Sequence, residues 1–213
     1  MSSEALRAIS DNEGIAGNTA GSVTARKTVP GRTARIHVAL DPTIARLAVE
    51  LSLPENHLNE KSLEPLLNAL RELTALDCVF VALFDQKQSR IETVSAAIGA
   101  TIKKCKPETL IGAMQPCSKE MLKRLGKHQL LDVRDYNTLG PEHELFSSQI
   151  ASLNLSSALV GGIHVRNRIQ GLMFFGSLRR RSSWDVETHL IMKLMAASYA
   201  AGHERLQLQS SAA

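Results

Sequence analysis

Residues 156–205 contain the clearest secondary-structure pattern of the chain and read SSALVGGIHVRNRIQGLMFFGSLRRRSSWDVETHLIMKLMAASYAAGHER. Two apolar runs, residues 157–165 and 169–177, lie on either side of Arg166-Asn167-Arg168. Each run has the length and composition of a strand, and Asn167 can adopt the left-handed conformation of a tight turn. The sequence therefore predicts a β-hairpin.

A long helix is predicted directly after the hairpin. Ser182 and Asp185 have the spacing of a capping box, with Asp in place of the more usual Glu, so the helix can begin here. It can continue through Leu208. An apolar stripe runs down one side of it: Val186, Leu190, Leu194, Ala197 and Ala201.

The first half of the chain predicts two helices and a pair of strands. Asp41-Pro42 has the form of an N-cap followed by proline at the first helical position. Ser62 can cap the second helix, with Pro65 tolerated in its first turn. Residues 78–84 (CVFVALF) are apolar, β-branched and aromatic enough for a buried strand, and residues 91–95 can return as its partner. The second helix carries one apolar stripe: Leu63, Leu66, Leu67, Leu70 and Leu73.

Residues 99–153 have a weaker pattern. Helices are predicted at 107–114, 118–125 and 142–153, and a short strand at 130–133. Segments that fold over a ligand often have this mixed character, but ordinary connections can look the same. Both interpretations stay open from the residues alone.

Residues 156–205 resemble the C-terminal half of GAF domains, which pair a strand, a tight turn, a glycine-containing strand, a basic loop with Trp and a long exit helix. Residues 63–85 (LEPLLNALRELTALDCVFVALFD) resemble the opening helix and first strand of the same family. The resemblance implies an α/β fold, a GAF-like sandwich. In such a fold the terminal helices pack on one face of a central antiparallel sheet, and loops and short helices cover a pocket on the other.

The chain accordingly divides into four predicted parts. These are a disordered lead (1–34), a short helical lead-in (35–60), the GAF-like sensory domain (61–208) and a tail (209–213). The lead is rich in Gly, Ser, Thr, Asn and Ala, with isolated apolar residues. Such a segment cannot bury enough apolar surface to offset its chain entropy.

The resemblance implies a regulatory input domain of a bacterial signalling protein, which binds a small molecule and couples binding to its C-terminal helix. Such domains usually lie upstream of a cyclic-di-nucleotide cyclase or phosphodiesterase, a histidine kinase or a transcriptional output. No such output is recognised, so we expect a fragment or a chain that signals in trans. Two specialised classes fit badly. Glu142-His143-Glu144 lacks the cysteine of the bilin-binding Cys-His pair, and the Asn-Lys, Phe, Asp-Glu signature of cyclic-nucleotide binders is not found.

The expected ligand-binding residues come mainly from the segment that covers the pocket in the family. They are His128, Tyr136, His143 and Phe146, with His164 as a further candidate or, more simply, a hydrogen-bonded histidine of the sheet. The sequence names neither the ligand nor a cofactor, and no catalytic residue is predicted. No metal site is predicted either, because none of the seven histidines has the i, i+4 spacing of a helical metal pair.

Two alternatives come from other classes of function. Cys105 lies between lysines that favour the thiolate, and Cys117 follows twelve positions later, so a thiol-dependent oxidoreductase of the free methionine sulfoxide reductase kind is conceivable. A bystander cysteine in a solvated basic stretch is the simpler interpretation. The third interpretation is a ligand-free GAF-like fold that serves as a dimerisation scaffold.

Composition restricts the compartment and the partners. Three cysteines in 213 residues do not suggest a disulfide framework. No run approaches the roughly 18–20 apolar residues of a membrane span, and no secretory signal is visible, so we expect a cytoplasmic chain without membrane contact. The net charge is +4, and Arg179-Arg180-Arg181 contributes much of it. We interpret this run as a solvated loop and expect no nucleic-acid partner.

A homodimer through the terminal helices is predicted. Four residues of the exit helix follow one another in steps of 4, 3 and 4: Leu190, Leu194, Ala197 and Ala201. This is a coiled-coil rhythm, which Leu208 would continue and Glu204 interrupts. The seam either shares residues with the contact that the helix makes to its own domain, or uses the neighbouring Ile191, Met195 and Ser198.

Overall fold

The computed structural model describes residues 41–212, except 86, 88, 89, 101, 103–105 and 113–118. By its internal contacts the chain forms two units, 1–38 and 39–213, and the described residues belong to the second. The predicted disorder of residues 1–34 therefore lies outside the described residues, as do Cys105 and Cys117.

The described residues form five α-helices and five strands. The helices are α1 (Pro42–Leu51), α2 (Glu60–Leu73), α3 (Lys119–Gly126), α4 (Glu144–Ser152) and α5 (Val186–Ala212). The strands are β1 (Cys78–Phe84), β2 (Ile91–Ile98), β3 (Leu131–Val133), β4 (Ser157–Val165) and β5 (Arg168–Ser177). Short 3-10 turns occupy Pro54–His57, Pro107–Leu110, Tyr136–Thr138 and Pro141–His143.

The strands form a five-stranded antiparallel sheet in the order β2-β1-β5-β4-β3. The predicted α/β architecture with a central antiparallel sheet is confirmed. The β4–β5 hairpin turns through Arg166 and Asn167, whose φ angles are 49° and 62°. Asn167 thus adopts the left-handed conformation expected of it.

α1, α2 and α5 pack on one face of the sheet, called the helix face below. α5 lies along β4, and α1 packs against both α5 and α2. Strand residues such as Val79, Leu159 and Met173 point into this core and meet Ile191, Met192 and Met195 of α5. The first and last helices therefore share one hydrophobic core, as the sandwich requires.

The described residues within 99–153 pack on the other face of the sheet, called the segment face below. Phe80 of β1 and Phe174 of β5 stack with ring centroids 4.4 Å apart, and the ring of Phe146 from α4 lies 6.3 Å from that of Phe174. Leu125 of α3 and Leu153 join the same buried cluster. The described side chains therefore pack tightly over the middle of this face.

Helix starts differ from their predicted positions. Asn59 rather than Ser62 caps α2, because its side-chain oxygen accepts a hydrogen bond from the Ser62 backbone N–H at 2.9 Å. Pro65 consequently lies inside the helix and not in its first turn. Asp185 rather than Ser182 caps α5, since its carboxylate accepts from the Thr188 N–H at 2.6 Å.

The predicted bounds of three other elements also differ from the observed ones. β2 continues to Ile98, three residues beyond its predicted end, because it pairs with all of β1. The piece predicted at 107–114 forms a 3-10 turn over Pro107–Leu110, and its last two residues lie outside the described residues. The helix predicted at 142–153 begins with a 3-10 turn and becomes α-helical at Glu144.

Candidate functional site

Two of the residues expected to bind a ligand meet in the structure. His128 follows α3 and has a φ of 56°, while His164 lies near the end of β4. Their imidazole centroids are 4.1 Å apart, with the ring planes inclined by 37°. The turn after α3 therefore brings His128 onto the strand that carries His164.

These histidines line a cleft of about 400 Å³ between α5, the turn after α3 and the free end of β4. β3 pairs only with residues 158–160 of β4, so this neighbour does not cover Gly161 and the residues after it. The helical wall consists of small side chains and two charged ones: Lys193, Ala196, Ala197, Ala200, Ala201 and Glu204. The cleft is therefore bounded on one side by the exit helix.

Two glycines make room for the cleft and its histidine. A Cβ at Gly162 would lie 2.8 Å from Cε1 of the His164 ring. A Cβ at Gly161 would lie 3.1 Å from the Met192 sulfur and 3.3 Å from a methyl group of Leu130. Side chains at these positions would displace the imidazole and fill the floor, since contacts this short require a neighbour to move.

The environment of His164 favours its neutral ring. Burial lowers the pKa of His164, the nearby His128 lowers it further, and the Gly162 and Leu125 carbonyls act in the opposite direction. Nδ1 lies 3.1 Å from the Gly162 oxygen and donates to it in the tautomer that we assign. Nε2 is buried without a hydrogen-bond partner among the described residues. A carbonyl such as that of Leu125 cannot serve a neutral Nε2, because both atoms are acceptors.

The charged groups of the cleft differ in their pairing. The Arg166 Nε lies 3.3 Å from a carboxylate oxygen of Glu204, so the acid at one end of the cleft is already paired. Lys193 is exposed and forms no ion pair with any described residue. The described groups therefore leave one unpaired cation in the lining.

Solved structures share this architecture. The phycocyanobilin-bound GAF domain from a cyanobacterial phytochrome matches with a TM-score of 0.60 and 14% identity, over 78% of this chain and 94% of its own. This chain has the GAF fold. The blue-light absorbing form of the Thermosynechococcus elongatus PixJ GAF domain matches at a TM-score of 0.56 and 17% identity, over 82% and 95%. The cyanobacteriochrome receptor PixJ matches at 0.55 and 19%, over 69% and 95%.

At these identities the likeness concerns the fold alone. The sequence matches no protein-family model and no curated protein. Within the described part of the chain, no helix is both long and apolar enough to cross a membrane. The described side chains also bring together no group of three metal-ligating residues.

The other three predicted site residues lie apart from the histidine pair. Tyr136 lines a groove of about 320 Å³ beside α4, together with Asn137, Pro141 and Ser147. His143 is half-buried directly before α4. Phe146 is only 1% exposed and packs in the core of the segment face.

The pocket expected over the middle of the segment face stays a prediction, because part of the segment that would bound it lies outside the described residues. The rings of Phe80, Phe146 and Phe174 occupy that space among the described residues, whereas the cleft lies at the edge of the helix face. Sequence reasoning missed the α5 wall of the cleft. Part of its signal was present in Ala197 and Ala201, which were interpreted only as members of a helix-pairing seam.

Proposed function

We propose that this GAF-fold chain is a regulatory input domain that binds a small molecule in the His128–His164 cleft and passes the binding event to α5. The observation that carries the proposal is the lining of the cleft, half of which belongs to α5. A ligand there contacts the exit helix directly. Its binding energy can therefore favour one position of this helix over another.

The same helix supports the proposed homodimer. Ile191 and Met195 are buried in the helix-face core, so they are not available for a seam between two copies. The stripe beginning at Leu190, which is 42% exposed, runs along the outer side through Ala197 and Ala201 to Leu208. We assign the seam to this stripe, whose 4, 3 spacing suits helix pairing.

Cleft and stripe share Ala197 and Ala201. Ligand binding and helix pairing are consequently linked in the proposed mechanism, and each must change the affinity of the other by the same factor. A ligand that covers these two alanines alters the surface offered to the partner helix. This linkage is the proposed route from ligand binding to an output.

Native mass spectrometry of the chain purified from cells tests ligand binding. We expect the purified chain to retain a small molecule, and the Ala197→Phe variant to retain none. Ala197 is exposed, so a phenyl ring at this position fills the cleft at little cost to folding. Leu190→Phe is the matched control, since it adds bulk to the same stripe outside the cleft. A chain that is always empty, or a ligand retained in Ala197→Phe, contradicts the proposal.

Sedimentation with and without that ligand tests the linkage. The dimer dissociation constant should differ between the two conditions, and Leu190→Arg should weaken the dimer in both. A dimer untouched by ligand would leave the alternative of a ligand-free dimerisation scaffold, which the exposed stripe also supports.

The fold neighbours include bilin-bound GAF domains, whereas aromatic side chains occupy the described segment face of this chain. Phe80, Phe146 and Phe174 fill the space above the sheet. Cys78 is buried in β1. We therefore propose a different and smaller ligand, located at the helix face.

We further propose that the chain acts without a catalytic site of its own, in the cytoplasm. Cys105 and Cys117 are the residues on which the alternative, methionine sulfoxide reduction, depends. Replacing both with serine should leave the fold and the retained ligand unchanged. Reduction of free methionine sulfoxide by the unmodified chain, lost in this double variant, would instead establish the oxidoreductase.

A further inference from the structure

The charged side chains that line the cleft favour one class of small molecule over others. Glu204 is the only acidic residue among the described lining residues, and Arg166 already pairs with it. Lys193 offers an unpaired ammonium group in the same wall. A ligand with a negative group would therefore complete an ion pair, whereas a cation would meet Lys193 without a free acid to balance it.

Basic side chains come directly before His128 in the chain. The last turn of α3 bears Lys123 and Arg124, and Lys127 directly precedes His128. All three side chains are exposed. Basic groups around a cleft raise the local concentration of anions and speed their association.

The remaining surfaces of the cleft suit an apolar body. Ala196, Ala197 and Ala200 present methyl groups, and the glycine floor has no side chains. A volume of about 400 Å³ lies in the range of roughly 300–1,000 Å³ typical of small-molecule sites. The cleft thus combines an apolar wall with one unpaired ammonium group among the described lining residues.

We propose that the cleft binds a small organic anion, with a carboxylate paired to the Lys193 ammonium and a flat apolar body against the α5 alanines. This inference rests on the proposed function, since it names the ligand class for the same cleft. The imidazole of His128 provides a second polar contact at the mouth, where it is exposed.

Calorimetric titration of the full chain with three matched compounds tests the inference. The probes are 2-naphthoate, 2-naphthamide and 2-naphthylmethylamine, which share one ring system and differ in charge. We expect 2-naphthoate to bind about tenfold more tightly than the amide, as a charge-assisted contact allows, and the amine to bind most weakly.

Two lysine variants locate the contact. Lys193→Gln should weaken 2-naphthoate binding about tenfold and leave the amide unchanged, because only the anion uses the ammonium group. Lys127→Gln makes the same charge change on an exposed lysine outside the lining and should alter binding less than about twofold. Circular dichroism verifies that both variants are folded.

Three results would overturn the inference: equal binding of the three probes, tighter binding of the amine, or no binding of 2-naphthoate. An equal effect of the two lysine variants would also overturn it, since that indicates a diffuse surface field. None of these results contradicts the proposed function if native mass spectrometry finds a small molecule in the cleft. The proposed function fails separately, when the purified chain is empty.

Discussion

On the helix face, the alanines of α5 leave a cleft beside β4 at the sheet edge, whereas on the segment face phenylalanines from β1, β5 and α4 pack over the centre. Both faces belong to the same strands, since Leu159 of β4 points to one core and Val160 to the other. The difference comes from side-chain size. Small residues leave a cavity where large ones fill it.

The location of the cleft also depends on the length of β3. β3 pairs with only three residues of β4, so the last part of β4 has a side that this neighbour does not cover. Gly161 and Gly162 lie at the start of that uncovered part and keep it open. The position of a cavity in this sheet therefore depends on edge geometry and side-chain volume, and does not follow from the fold alone.

Among the changes proposed here, Phe146→Ala should lower the unfolding free energy most. Removal of a phenyl ring from a packed core costs about 3–5 kcal/mol of unfolding free energy, measured by urea denaturation. Leu58→Ala, at a residue that is 66% exposed, should change it by less than about 0.5 kcal/mol. A loss below about 1 kcal/mol for Phe146→Ala would show that this ring borders open space, which would return the ligand site to the segment face.

Gly202→Ala should lower the unfolding free energy by an intermediate amount, because it disturbs the packing on the helix face. Alanine normally stabilises a helix interior relative to glycine by about 1 kcal/mol. Here the new methyl group would collide with the His57 ring and would lie 2.6 Å from the Leu51 carbonyl oxygen. We therefore expect a net loss of about 1–3 kcal/mol in unfolding free energy.

Gly126→Ala is the matched control for this change. A Cβ at Gly126 would approach nothing closer than 3.9 Å, so the substitution in α3 should be neutral or stabilising. Equal effects of the two substitutions would show that α1 and α5 do not pack as closely as the structure indicates.

Lowering the pH should reduce the unfolding free energy by a smaller amount, again through residues of the helix face. Burial lowers the pKa of both His57 and His203, and the charge of His57 lowers that of His203 further. Gln207 donates to Nε2 of His203 at 3.0 Å, which requires a neutral ring. Because the unfolded chain takes up these protons first, unfolding free energy should be highest above about pH 6.5 and fall below it.

Urea denaturation at pH 7.5 and pH 5.5 measures this difference. His203→Asn should reduce it, since one of the depressed groups is then missing in both states. A stability that rises as the pH falls toward 5.5 would contradict the described burial of these rings.

The sequence predicted strand positions well and helix faces less well. The apolar runs that became β1 and β4 were predicted with their observed ends, because a buried strand needs an unbroken apolar run. In α5 the most regular stripe, beginning at Val186, lies mainly outside. Val186 itself is 71% exposed, while Thr188 and Tyr199 are buried. A helix with apolar residues on several sides does not show by periodicity which side its own core uses.

The site was only partly predictable. His128 and His164 were both selected, but their contact depends on the turn after α3, which no local pattern specifies. Phe146 was selected for its place in the covering segment, and the structure places it in the core. Its role depends on Phe174, 28 positions later in the chain, and such long-range packing has no local signature.

Methyl-labelled NMR during a screen of small organic molecules reports which face of the sheet receives a ligand, whatever the charge of that ligand. We expect chemical-shift changes to concentrate on the methyl groups of Ala197 and Ala201, on the helix face, and the shifts of Val160 and Leu172 to stay unchanged. Shifts concentrated on Val160 and Leu172, in the core of the segment face, would contradict this expectation.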